Sequence, residues 1–282
     1  MSAPHAWLPR ATCVRDCLNG PPADRGVRVI TRTTLRSLMV LLLLPCMPLL
    51  AVPVPGRRRW QRGYCRAVLR CLGIRISVSG GPIRNVSGVL VVARHVSWVD
   101  VFVVGAVLPG SFVAKAEMLQ WPALGAVARM VKVIPIDRTS LRRLPEVVRT
   151  IADRLRSGHT VVAFPEGTTW CGRAHGHFRP AMFQAAIDAQ RAVQPLRLSY
   201  HHRDGELSTV CAYIGEDTLL ASLRRVISVR RTLVRVGVES LQLPGDDRRE
   251  LAARCQRAVG ELGAAATPLR PAEHRSCHTL VA

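Results

Sequence analysis

Gly88-Val-Leu-Val-Val-Ala93, running directly into Arg94-His95-Val-Ser-Trp-Val-Asp100, decides the fold. Six residues without a polar side chain, half of them valine, predict a strand buried on both faces. The polar residues wait until the run is over. Working outward, Ser111–Lys115 and Val131–Ile136 read as two more short strands, with a short helix over Pro122–Arg129 between them. Leu144, Val147, Val148, Ile151 and Leu155 recur at helical spacing, and Gly158 closes that helix. A strand over 160–164 follows, then a helix over Ala181–Gln190 and a strand over Val193–Tyr200. Strands over 208–214 and 232–240 flank an Arg-rich helix over 217–228, and a helix over Asp246–Leu262 precedes the tail. Strands separated by crossover helices make an α/β fold: a central, mostly parallel sheet flanked by helices.

The N-terminal quarter reads differently. Residues 1–25 are polar, without an apolar period, and are expected to form a disordered leader. Ser37–Pro55 carries no charge and approaches the ~20 residues that span a bilayer. Pro45, Pro48, Pro53 and Pro55 interrupt a helix there. Arginines 28, 32 and 36 precede the segment, and arginines 57, 58, 59 and 62 follow it. Basic flanks on both sides suit a membrane-associated element that dips into the cytoplasmic leaflet and returns. A single span and a buried helix are the alternatives. A second helix, Trp60–Leu72, gathers Tyr64, Val68, Leu69 and Leu72 on one face and arginines 62, 66 and 70 on another, a pattern that suits the membrane surface. The organisation expected is a leader (1–25), a membrane-anchoring part (26–72), a catalytic domain (73–245) and a C-terminal helix and tail (246–282).

The chain has 40 Lys+Arg against 19 Asp+Glu, a formal net charge of +21. Such a field attracts phosphate, whether of nucleic acid or of an anionic lipid surface. Aromatic residues are only 5% and are not interleaved with the basic ones, so nucleic acid is not the expected partner. Lys115 and Lys132 are the lysines of a chain otherwise built with arginine. Nine cysteines show no paired short spacing; Cys13 and Cys17 are four apart, and Cys277 sits beside His278. That pattern argues against structural zinc and a disulfide framework, and predicts buried thiols in a reducing compartment.

Two strand-end motifs carry the chemistry. His95 and Asp100 lie where a strand gives way to a helix, with Ser97 as its expected N-cap. A carboxylate that fixes an imidazole tautomer makes a base able to take a proton from an alcohol. Phe164-Pro-Glu-Gly-Thr168 ends the 160–164 strand in the same way, placing Glu166 to receive substrate hydroxyls and Gly167 to let backbone approach a phosphate. Arg138 follows a third strand end and Lys115 a fourth, both suited to phosphate. Together these residues point to acyl transfer onto a hydroxyl. A plain turn would account for Pro165 and Gly167 alone. No Gly-x-Ser-x-Gly turn offers a serine nucleophile, which disfavours an esterase, and no ligand cluster demands a metal or other cofactor.

His95-x4-Asp100, Ile136-Asp-Arg138, Phe164-Pro-Glu-Gly-Thr168 and Pro195, in that order, resemble the motifs of the glycerolipid acyltransferases over residues 60–240. The resemblance is to the 1-acyl-glycerol-3-phosphate acyltransferase branch, particularly its bacterial members. It implies that His95 is the general base and that Asp100 orients it. It implies phosphate binding by Arg138 and Lys115, and a glycerol cradle of Glu166, Gly167 and Thr168. Arg179, in Phe178-Arg-Pro-Ala181, falls where the family commonly has a basic residue. The implied partners are a lysophospholipid, an acyl thioester (coenzyme A or acyl carrier protein) and the anionic membrane surface, with the catalytic domain on the cytoplasmic side of the cell membrane. One departure stands out. The family often has arginine after Phe-Pro-Glu-Gly-Thr, and this chain has Thr169, which opens a lyso-lipid with another head group, such as lyso-ornithine lipid.

Overall fold

Val91 and Ala93 join one hydrophobic cluster, while Leu90 and Val92 join another on the opposite side of the same strand. All four are fully buried, which is the alternation of a strand covered on both faces. The computed structural model describes residues 8–18, 26–52, 55–80, 87–120, 125, 128, 129, 131–137 and 140–260. Among them, seven strands form the sheet: β1 (Ile74–Ser79), β2 (Leu90–Ala93), β3 (Ser111–Lys115), β4 (Ile134–Ile136), β5 (Val161–Ala163), β6 (Val193–His201) and β7 (Thr232–Val238). Their spatial order is β1-β7-β6-β2-β5-β3-β4. β6, β2, β5, β3 and β4 are mutually parallel; β7 runs antiparallel to β6, and β1 runs parallel to β7. The expected mostly parallel α/β sheet is therefore present, with one reversal at β6–β7.

Helices cover both faces. α1 (Val27–Leu43), α2 (Arg57–Cys71), α3 (Asp100–Val107) and a later helix, Leu219–Ser228, contribute to or pack around the cluster that holds Val91 and Ala93. α4 (Leu144–Arg156), α5 (Ala181–Asp188) and the helix Arg248–Gly260 cover Leu90 and Val92. In chain order, Leu219–Ser228 is α6 and Arg248–Gly260 is α7. Each Leu or Val taken fully out of water contributes about 1.5–3 kcal/mol, so the central strand cannot accept a polar side chain before it ends. Arg94 and His95 consequently fall just past the sheet, at the carboxyl edge that β2 shares with β5, β3 and β4.

The N-terminal part departs from expectation in three ways. Residues 8–18 lie against the body, with Cys13 and Cys17 only 5% and 6% exposed, because two small apolar thiols find a buried site. The apolar helix begins at Val27, not Ser37, since arginine is a good helix former and nothing breaks the helix before Pro45. Val27–Cys46, including a final 3-10 turn, is 20 residues long, apolar enough to cross a membrane, and not buried in the protein. Arg36 ties it to the body, donating to the carbonyls of Ile227, Val229 and Arg230 at 2.8, 2.6 and 2.8 Å. α2 turns Val68, Leu69 and Leu72 into the core, so that its apolar stripe serves α3 and β1 instead of a lipid surface; Trp60, Arg66 and Arg70 are exposed. Gly105 of α3 permits this contact, as a Cβ there would stand 2.7 Å from Cys65 Sγ.

The strand expected over 208–214 is absent. That segment is a buried irregular stretch whose carbonyls at Val210 and Ala212 are satisfied by the Arg225 guanidinium at 2.9 and 2.7 Å. Burial, not pairing, explains its apolar composition. The short helix over Pro122–Arg129 lies largely outside the described residues, as do the tail from 261 and the Cys277–His278 pair.

Candidate active site

Asp100 opens α3 and is completely buried. Its Oδ2 accepts the backbone N–H groups of Val96 and Ser97 at 2.7 and 2.8 Å and faces His95 Nδ1 at 2.9 Å. Its Oδ1 accepts the phenolic O–H of Tyr200, near the end of β6. Four donors thus converge on one buried carboxylate and satisfy its lone pairs in a dry setting. With Oδ2 acting as acceptor to the two backbone N–H groups, it accepts from His95 as well, so the imidazole carries its proton on Nδ1 and its lone pair on Nε2. The imidazole stacks on Phe164, with centroids 4.1 Å apart and planes at 11°, which fixes the ring plane as firmly as Asp100 fixes its tautomer. The side chain is 18% exposed, enough for a substrate to reach one edge.

Ser97 does not cap α3. Its hydroxyl accepts the N–H of Val99 at 3.3 Å in a tight turn, and Asp100 reaches back from the first position of the helix to the N–H groups of Val96 and Ser97. The result is a clamp: five consecutive residues, His95 to Val99, fold around the first carboxylate of the helix.

Glu166 couples the second motif to the first. Its Oε2 accepts the backbone N–H of His95 at 2.8 Å, and its Oε1 that of Gly176 at 3.1 Å. Only 3% exposed, Glu166 is pushed up to about 7 by burial, against the opposing pull of the two backbone N–H groups and of Arg94. Gly167 has φ of 74°, a conformation glycine adopts without strain, and a Cβ there would stand 2.7 Å from Pro9 Cγ and 3.8 Å from Arg179 Cδ. Thr168 is half-buried beside it. Arg179 donates its backbone N–H to the Pro165 carbonyl at 3.0 Å and keeps an exposed side chain along the motif.

The structure thus brings together His95, Asp100, Glu166, Gly167, Thr168 and Arg179. Lys115 is exposed at the end of β3, at the same sheet edge but beyond β5; it pairs in register with Ile136 of β4. Arg138, two positions past Ile136, lies outside the described residues. Pro195 sits within β6 as the register partner of Val92. Thr169 donates its hydroxyl to the Tyr213 carbonyl, so its side chain is spent on the 208–214 segment.

Three participants escape a reading of the sequence. Tyr200 reaches Asp100 across 100 residues; its one signal is a phenol in an apolar strand, which needs a partner when buried. Arg94 approaches Glu166 electrostatically, and Gly176 supplies a backbone donor that leaves no trace in composition.

The family model described as Acyltransferase matches residues 75–199, which contain His95, Asp100, Glu166, Gly167, Thr168 and Arg179. The 1-acyl-sn-glycerol-3-phosphate acyltransferase of Neisseria meningitidis is 36% identical over 171 residues, covering 61% of this chain and 67% of that protein. The lyso-ornithine lipid O-acyltransferase of Pseudomonas aeruginosa is 36% identical over 207 residues, covering 73% and 78%. The crystal structure of the 1-acyl-sn-glycerophosphate acyltransferase PlsC from Thermotoga maritima superposes with a TM-score of 0.60 at 16% identity, covering 84% of this chain and 98% of that one, a likeness of fold. On this agreement of sequence and architecture, the chain belongs to the Acyltransferase family, of the type that acts on lysophosphatidate and lyso-ornithine lipid.

Proposed function

We propose that this protein moves a fatty acyl group from an acyl thioester to the free hydroxyl of 1-acyl-glycerol-3-phosphate, giving phosphatidic acid. The observation that carries the reading is the buried Asp100 carboxylate holding His95 by Nδ1. His95 Nε2 takes the proton of the acceptor hydroxyl as its oxygen attacks the thioester carbonyl. Asp100 stabilises the imidazolium that forms, and the imidazolium returns the proton to the departing thiolate. The new ester bond forms as the C–S bond breaks, and no enzyme nucleophile is needed. Glu166 and Gly167 hold the glycerol part, while Lys115, Arg138 and Arg179 receive the phosphate. The exposed apolar side of α1 sets the site at the membrane, where a lyso-lipid enters sideways, and the catalytic domain faces the cytoplasm. Coenzyme A and acyl carrier protein are both acidic, and the basic chain suits either as donor.

Thr169 favours a second acceptor. With its hydroxyl committed to Tyr213, it supplies no cation where relatives often have arginine, which suits a lyso-ornithine lipid. The Pseudomonas relative, named for that substrate, supports the same reading. An acceptor panel decides. Detergent-solubilised enzyme is given one acyl thioester with lysophosphatidate, lyso-ornithine lipid or lysophosphatidylcholine, and product lipid is measured. The first reading predicts the highest kcat/KM for lysophosphatidate, and an Arg138→Ala variant with raised acceptor KM and unchanged donor KM. Preference for lyso-ornithine lipid establishes the second. Activity on none refutes both and leaves a non-catalytic lipid-binding protein.

A further inference from the structure

Cys13, Cys17 and Cys171 bring their three sulfurs within 4.8 Å of one another, and all three residues are buried. Spacing along the chain argues against a zinc site, because Cys171 lies 158 residues from Cys13; the fold supplies the missing sulfur. Cys13 precedes the 3-10 turn Arg15–Cys17 and Cys17 ends it, so one short segment supplies two of the three sulfurs. Cys171 lies four positions beyond Gly167. Zn–S bonds of about 2.3 Å require sulfurs about 3.8 Å apart, so the three converge on one ion with a contraction of about 1 Å or less.

The surroundings suit thiolates. Cys13 Sγ accepts the backbone N–H of Cys171 at 3.3 Å, and Cys171 Sγ accepts that of Ala174 at 3.5 Å. Such N–H···S contacts orient metal-bound sulfur and offset its charge. Among the described residues no fourth protein ligand joins the three, which leaves a fourth position for water. The described cysteines are all free thiols, as a reducing compartment would keep them, and a soft ion competes well for three such thiols.

We propose that Cys13, Cys17 and Cys171 bind one zinc ion, which fastens residues 8–18 across the turn at Gly167. The same segment sets Pro9 against Gly167, where a Cβ would stand 2.7 Å from Pro9 Cγ. Zinc therefore clips a strap over the loop that follows Glu166. Trp170, the residue before Cys171, donates its backbone N–H to the His95 carbonyl at 2.8 Å, so the clip sits beside the backbone of the site; its part is structural, and it takes no part in acyl transfer.

The test measures metal on the full chain, purified in detergent under reducing conditions without a metal-affinity tag. Elemental analysis is expected to find about one zinc per chain, as in three-thiolate sites. Cys13→Ser, Cys17→Ser and Cys171→Ser each lose it, while Cys65→Ser, at a thiol remote from the cluster, keeps it. Cobalt added to the zinc-stripped wild-type chain produces a thiolate-to-metal charge-transfer band, which keeps the site testable should a serine variant fail to fold. Zinc-free wild type without a cobalt band overturns the proposal. So does an intact mass showing a Cys13–Cys171 disulfide in place of metal, or equal zinc in Cys13→Ser and wild type. These readouts are independent of turnover, so they stand whichever lipid is the acceptor.

Discussion

Glu166 accepts the backbone N–H of His95 at 2.8 Å, so the two strand-end motifs are a single hydrogen-bonded unit. β2 and β5 are adjacent and parallel, with Val92 in register with Ala163, and their carboxyl ends deliver both motifs to one place. The sheet therefore positions the base and the acceptor cradle relative to each other through backbone, not through flexible side chains.

The titration of Glu166 has a definite sign. Its folded value of about 7 exceeds the ordinary 4.5, so between those values the folded chain holds more protons than the unfolded one. This group's stabilising contribution is full below about pH 4.5 and is lost as pH rises through about 7. The wild-type Tm is expected to fall more between about pH 5 and 8 than that of Glu166→Gln, followed by calorimetry. The variant also turns an amide donor toward one of two backbone N–H groups, which costs about 1–3 kcal/mol at low pH. Parallel Tm curves would contradict the assignment.

Tyr200 supports Asp100 without touching the reacting edge of His95. Tyr200→Phe removes one of four donors to a buried carboxylate and is expected to cost about 1–3 kcal/mol in denaturant titration. The Nδ1 contact survives, so kcat falls by about tenfold or less, and acceptor KM stays close to wild type. Asp100→Asn is more severe: an amide cannot accept from all four donors, and both stability and kcat are expected to drop further.

At Gly167 the left-handed backbone and the Pro9 ring both disfavour a side chain. Gly167→Ala places a Cβ at φ of 74° and 2.7 Å from Pro9 Cγ. Left-handed strain of about 1–2 kcal/mol and a displaced segment at residue 9 are expected. Acceptor KM rises while donor KM is held, as measured by two-substrate kinetics; equal change in both would place Gly167 outside the cradle.

What the sequence made legible was local or repetitive. His95 and Asp100 are five positions apart, so one turn settles their contact, and the β2 run declares its double burial by composition alone. Glu166 and Gly167 were legible as a second strand end. Tyr200 was not, because its partner lies 100 residues away and a strand phenol does not announce its acceptor. Residues 208–214 look like a strand because a buried loop and a buried strand share apolar residues, and only the Arg225 contacts tell them apart. The start of α1 was misplaced for the converse reason: charge marks where lipid contact ends, not where helical hydrogen bonding begins.

The central claim is that His95, held by Asp100, takes the acceptor's proton. It is tested most directly by following free thiol released from an acyl thioester by wild type and by His95→Ala, with and without lysophosphatidate. The account predicts acceptor-dependent thiol release by wild type and a fall of about 10²–10⁴-fold in kcat for the variant, with the fold and membrane attachment retained and Tm lowered by the lost donor to Asp100. Undiminished release by His95→Ala would contradict it, and release by wild type without any acceptor would instead make the protein a thioesterase.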